Sequence, residues 1–153
     1  MKYLTYLLAS LFLAGCVGGD LHSDNQAVQP VAPLSPLQQW QALSFSDYDY
    51  DVQRSCFCTQ EYVRPMRVSV RAGKVVDAVY LDDDGKVHEE VQGSLRTIDQ
   101  WFAYITKGKE KPFHRLEVSY HPEQGYPTSI DADVRSRIAD DEQQLVLKNL
   151  TPR

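Results

Sequence analysis

The stretch Tyr48–Cys58 reads YDYDVQRSCFC, and its pattern decides the fold. Even positions carry Tyr48, Tyr50, Val52, Arg54, Cys56 and Cys58, while odd positions from one residue upstream carry Asp47, Asp49, Asp51, Gln53, Ser55 and Phe57. Successive side chains of a strand point to opposite faces, so alternation of this length predicts a strand with one buried face and one wet face. Tyrosine and valine suit a half-buried pleated surface.

Working outward, Ser35 stands where an N-cap precedes Pro36, and Leu37, Trp40 and Leu43 mark one face of a short helix ending by about Ser46. Downstream, Met66, Val68 and Val70 alternate with Arg67, Ser69 and Arg71 as a second strand. Ala72-Gly73-Lys74 is a tight turn, Val75–Leu81 a third strand, and Asp84-Gly85 a turn signal. The polar run from Lys86 to Arg96 predicts at most a short strand at Val87–Val91. Thr97-Ile98-Asp99-Gln100 is a capping box, followed by the helical stripe Ile98, Trp101, Phe102 and Ile105, with Gly108 as the C′ residue. His114–Tyr120, Thr128–Asp133 and Leu145–Leu150 complete the strands. Short links favour antiparallel pairing. The expected fold is α+β: an antiparallel sheet of about six strands with two helices packed on one face, in the order α-β-β-β-α-β-β-β.

At the N-terminus, Lys2 precedes an apolar run from Tyr3 to Leu13 that is too short to span a bilayer. Leu13-Ala14-Gly15-Cys16 then resembles the bacterial lipobox. That resemblance implies a lipoprotein signal peptide over residues 1–15, cleavage before Cys16, and acylation of Cys16. Several acyl chains anchor a protein stably where one is marginal. Val17, rather than Asp, follows the cysteine, which by the same resemblance directs the protein to the outer membrane, facing the periplasm. Residues 16–35, with Gly18, Gly19, Pro30 and Pro33 and no apolar period, read as a lipidated, disordered tether, and 36–153 as one α+β domain. The chain of 153 residues has a formal charge of −5, which argues against nucleic acid as a partner and makes the lipid anchor the membrane contact.

Cys56 and Cys58 share a strand face with Cα atoms about 6.6 Å apart at a regular rise, near the upper limit for a disulfide. Three readings stand: a local structural disulfide suited to an oxidising compartment, a redox-active pair, and metal ligation. Gly125-Tyr126-Pro127 reads as a turn, with the alternative that Tyr126, Tyr48 and Tyr50 form an exposed aromatic surface for a partner. Asp82–Asp84 lack the alternate spacing of a calcium loop, and Asp133, Asp140, Asp141 and Glu142 suit turn hydrogen bonds. No nucleophile elbow, zincin, phosphate-loop or dinucleotide motif occurs in the sequence, so no cofactor or catalytic residue is assigned.

Taken in order, Trp40, Tyr48-x-Tyr50, Cys56-x-Cys58, Val68, Gly73, Thr97-Ile98-Asp99, Gly125-Tyr126-Pro127, Ile130, Asp133 and Asp141-Glu142 resemble a family of small bacterial lipoproteins with a domain of unknown function. The likeness covers about residues 37–150 and implies a class without an activity. The helix–strand order also looks like small periplasmic inhibitor and PepSY-type modules, a likeness of fold alone. The expected function is a lipid-anchored envelope lipoprotein acting as a non-catalytic binding or accessory module for an envelope protein or small ligand. The alternative is a redox or other enzyme using Cys56 and Cys58.

Overall fold

The computed structural model describes residues 32–138 and 140–153. The expected signal peptide, Cys16 and the expected tether as far as residue 31 lie outside them. In chain order the elements are α1 (Pro36–Gln41), β1 (Tyr48–Cys56), α2 (Gln60–Val63), β2 (Met66–Arg71), β3 (Lys74–Tyr80), α3 (Glu89–Gln92), α4 (Ile98–Glu110), β4 (Arg115–Tyr120), β5 (Pro127–Asp133) and β6 (Glu142–Pro152).

The six strands form one open antiparallel sheet in the order β3-β2-β1-β6-β5-β4. The first three strands step from the centre to one edge, α3 and α4 carry the chain to the other edge, and the last three strands step back to the centre. There β1 lies between β2 and β6, with Tyr50 opposite Val68 and Val52 opposite Leu147. Tyr48–Cys56 is therefore a central strand of the sheet. The α+β class follows from this sheet and its short helices.

One face of the sheet is apolar. Tyr48, Tyr50 and Val52 of β1 join Met66, Val68 and Val70 of β2, Ile130 and Ala132 of β5, and Leu145 and Leu147 of β6 in a single buried cluster. Trp40 of α1 and Ile98, Trp101, Phe102 and Ile105 of α4 belong to the same cluster. The Trp40 ring meets Tyr48 edge-on at 5.4 Å between centroids, the geometry favoured by aromatic quadrupoles. Both α1 and α4 begin with a complete capping box: Ser35 with Gln38, and Thr97 with Gln100. Each box satisfies backbone N–H groups that the first helical turn leaves without partners.

Several boundaries differ from the sequence expectation, each for a physical reason. The helix at Pro36 ends at Gln41, and Leu43 and Phe45 pack on the core from the following irregular segment. The expected strand at Val87–Val91 gives way to the one-turn helix α3, which buries Val91, while the Val87 backbone N–H just before it donates to the Ala78 carbonyl of β3 at 3.1 Å. α4 continues past Gly108 to Glu110. A Cβ on Gly108 would sit 2.8 Å from a Leu116 methyl and 2.9 Å from the Phe113 ring, so this glycine permits close packing and does not end the helix. β1 stops at Cys56, and the unexpected one-turn helix α2 follows it. Helices therefore number four among the described residues, not two. β6 is longer than expected, reaching Pro152.

Candidate functional site

The tyrosine face of β1 belongs to the core. Tyr48, Tyr50 and Tyr126 are 2%, 0% and 4% exposed, which corrects the expectation of an aromatic partner surface at these residues. The alternation that buries valine buries tyrosine equally, provided each hydroxyl finds a partner. The Tyr50 hydroxyl donates to the Arg96 carbonyl, and the Ile98 backbone N–H donates to the Tyr48 hydroxyl at 2.9 Å. These bonds tie the N-terminus of α4 to the central strand. Burial pushes the Tyr48 hydroxyl pKa up to about 12 and that of Tyr50 higher still. The Trp40 indole N–H reaches Asp99 at 2.9 Å, bringing α1 to the same point.

The odd-numbered face of β1 is a layer of ion pairs. Asp51 is 2% exposed, accepts two bonds from the Arg67 guanidinium at 2.8 and 3.1 Å, and takes a third from the Asn149 amide at 2.8 Å. Asn149 has φ 56°, at the bulge where the β1–β6 register shifts between Asp49 and Asp51. That left-handed residue belongs to the irregularity that brings its amide to Asp51. Asp49 accepts from Arg71 at 2.9 Å and from Arg153 at 2.8 Å. Burial raises its carboxyl pKa, but the two guanidiniums outweigh burial and hold it below the usual carboxylate value. Asp47 accepts from the Ala72 backbone N–H at 2.8 Å and so closes the β2–β3 turn. Asp82 and Asp83 pair with Arg64, Asp133 accepts from the Arg135 backbone N–H at 3.1 Å, and Asp141 pairs with Arg135 at 2.8 Å.

Cys56 and Cys58 are joined by a disulfide with Cα atoms 5.4 Å apart. The chain leaves the extended rise after Cys56, which brings the two residues within comfortable bridging range. The bridge encloses Phe57, which is 84% exposed. Phe57 borders a cleft of about 310 Å³ on the ion-paired side of the sheet, together with Arg115, Asp131 and Glu142. Arg115 pairs with Asp131 at 3.0 Å there. Val146 of β6, another exposed apolar residue, borders the adjoining cleft with Gln53 and Ser55.

A further cluster was not assigned from the sequence. Arg54 lies on the even-numbered side of β1 and interrupts the apolar row of Tyr48, Tyr50 and Val52. Because Tyr50 holds the Arg96 carbonyl, the segment before α4 carries Arg96 toward the place that Arg54 reaches two strand repeats further on. Arg54 and Arg96 line one cleft of about 510 Å³ with Ser94, Gln100, Ala103 and Gln143. The Arg96 guanidinium lies 4.7 Å from the centroids of both Trp101 and Tyr104, while Arg54 lies 5.7 Å from the Tyr62 ring. The departure of Arg54 from the apolar row was the available signal. Its partner, distant in sequence, was not visible there.

The fold defines an α+β domain built on an open six-stranded antiparallel sheet. The chain belongs to the family of unknown function DUF6174, whose model matches residues 35–152. No curated protein and no solved structure matches it. Among the described residues, no helix is long and apolar enough to cross a membrane.

Proposed function

We propose that the chain is a lipid-anchored lipoprotein of the cell envelope, held by acylated Cys16 at the outer membrane facing the periplasm, and that its domain is a non-catalytic binding or accessory module. The sequence supports the anchor through the lipobox-like Leu13-Ala14-Gly15-Cys16 and the unpatterned stretch leading to the family match at residue 35. The ordered Trp40, Tyr48-x-Tyr50, Cys56-x-Cys58 and Gly125-Tyr126-Pro127 pattern supports the lipoprotein reading through its resemblance to small bacterial lipoproteins. The observation that carries the binding reading is Phe57: a large apolar side chain, 84% exposed, held in a ring closed by its two neighbours. Aromatic anchors on preorganised loops contribute strongly to interfaces because little conformational freedom is lost on binding.

The test has two arms. Metabolic labelling with an alkyne-bearing palmitate should mark the wild-type chain and leave Cys16→Ala unlabelled; a labelled Cys16→Ala chain overturns the anchor. A photo-crosslinking phenylalanine analogue at position 57 should give a discrete adduct in intact cells that the same analogue at exposed Glu123 does not. Identical patterns at the two positions count against a partner surface at Phe57.

A second reading, thiol–disulfide chemistry at the bonded Cys56–Cys58 pair, is favoured by the exposure of Cys58. Alkylation and mass spectrometry after equilibration with mild thiols distinguish it, since a bridge that resists them has no exchange role.

A further inference from the structure

Six described arginines lie against carboxylates: Arg64, Arg67, Arg71, Arg115, Arg135 and Arg153. Among the described residues Arg54, Arg96 and the exposed Arg137 do not, and the first two meet in one cleft of a chain whose formal charge is −5. Among the described residues no carboxylate lines that cleft. Arg54 is half-buried, and among the described residues its only side-chain hydrogen bond is a long one of 3.5 Å from Nη1 to the Ser94 hydroxyl. Its Nε is buried and donates to no acceptor among the described residues. Burial of a guanidinium without an anionic partner is unfavourable, and a second guanidinium beside it adds repulsion. Desolvation, then the nearby Arg96 charge, accordingly weaken the hold of Arg54 on its proton.

The rest of the lining suits an anion. The Gln100 and Gln143 amides bring further donors to the same cleft, while the Ser94 hydroxyl gives its proton to the Val91 carbonyl at 2.7 Å. The Gln143 amide already donates to the Tyr104 hydroxyl at 2.8 Å, which fixes its position on the wall. Arg96 is held against Trp101 and Tyr104, so its planar fork is set before any ligand arrives. Paired guanidiniums with converging neutral donors and no acidic neighbour match the demands of a carboxylate or phosphate group, which accepts parallel charge-assisted bonds.

We infer that the cleft between β1, the segment preceding α4 and α4 itself is a binding site for a small oxyanion-bearing ligand, with Arg54 and Arg96 as its recognition pair. The inference deepens the binding-module reading by supplying a ligand class, but it is independent of the lipid anchor and of Phe57. A failed Cys16 labelling or crosslinking result therefore leaves it standing, and its own failure leaves them standing.

The test is an NMR titration of the detergent-solubilised full chain, following the arginine Nε–Hε resonances in chloride buffer. Inorganic phosphate is added in one arm and succinate in the other. The Arg54 and Arg96 signals should move and saturate with at least one probe, at a dissociation constant in the millimolar range or tighter, and the arm that binds more tightly identifies the group. Arg54→Gln and Arg96→Gln should each weaken that binding by about tenfold or more, through the loss of a charge-assisted bond. Arg137→Gln, on an exposed loop elsewhere, should leave it unchanged. Saturation by neither probe overturns the inference, as does saturation that bypasses both arginines or survives in the double variant. If either variant fails to fold, the wild-type resonances decide the matter by themselves.

Discussion

Tyr48 and Arg54 lie on the same side of β1, and their substitution should move stability in opposite directions. Tyr48→Phe removes the acceptor of the buried Ile98 N–H, and a buried donor left without a partner costs about 1–3 kcal/mol. Urea denaturation should show a lower midpoint at unchanged slope; an unchanged midpoint would mean that the hydroxyl does not hold the start of α4. Alkaline pH tests the same group. A tyrosine pKa raised in the folded state contributes stability that is complete below the ordinary value of 10.0 and is lost as pH rises through about 12 for Tyr48. Unfolding over that window should coincide with phenolate absorbance. Arg54→Met, by contrast, keeps an unbranched apolar stem and removes a guanidinium that has no carboxylate. It should stabilise the chain by about 0.5–2 kcal/mol, the increment common when a residue is retained for binding at the expense of stability. A fall in thermal midpoint would show that Arg54 holds structure instead.

Turns and short elements separate residues chosen for backbone freedom from those chosen for space. Gly73 and Gly125 both have positive φ, 70° and 72°, but their surroundings differ. A Cβ on Gly73 meets nothing within 4 Å, whereas one on Gly125 would lie 2.1 Å from the Pro36 carbonyl oxygen and 2.8 Å from Gln39 Cβ. Gly73→Ala should therefore cost about 1 kcal/mol, the backbone penalty alone. Gly125→Ala should cost clearly more, because the β4–β5 turn must also move away from α1. Equal midpoints for the two variants in thermal melts would remove steric contact as the cause. The Cys56–Cys58 ring closes so short a loop that the chain-entropy relation gives only about 1–2 kcal/mol. The Cys56→Ser/Cys58→Ser variant should stay folded, with faster amide exchange confined to the segment around Phe57. Global unfolding of that variant would assign the bridge a larger role.

At the scale of the whole molecule, the face of the sheet that carries Asp49 and Asp51 is held by ion pairs and should make the domain acid-sensitive. Asp49 is held low because Arg71 and Arg153 outweigh its burial, Asp82 by Arg64, and Asp141 by Arg135. A carboxyl whose folded pKa is depressed contributes stability that is present above its unfolded value, near 3.8, and lost as pH falls through the folded value. Thermal midpoints should fall below about pH 4, and Asp49→Asn should flatten that limb; an identical slope in the variant would remove Asp49 from the account. The α+β class, the central alternating strand, Met66–Arg71 and the Thr97 capping box were all legible in the sequence. Each depends on neighbours within a few residues, where side-chain period and capping chemistry act directly. Val87–Val91 reads either way because valines at spacing four satisfy both the helical and the strand period, and so short a run holds no further position to decide between them. The sequence by itself therefore determined the elements, the buried row Tyr48-Tyr50-Val52 and the acidic row opposite it. Only the tertiary structure decided that the tyrosines are core, that Asp49 and Asp51 are neutralised by arginines from β2 and the C-terminus, and that Arg54 and Arg96 line one cleft. Those outcomes depend on strand order and on where α4 crosses the sheet, which bring distant residues together through packing that no local pattern encodes.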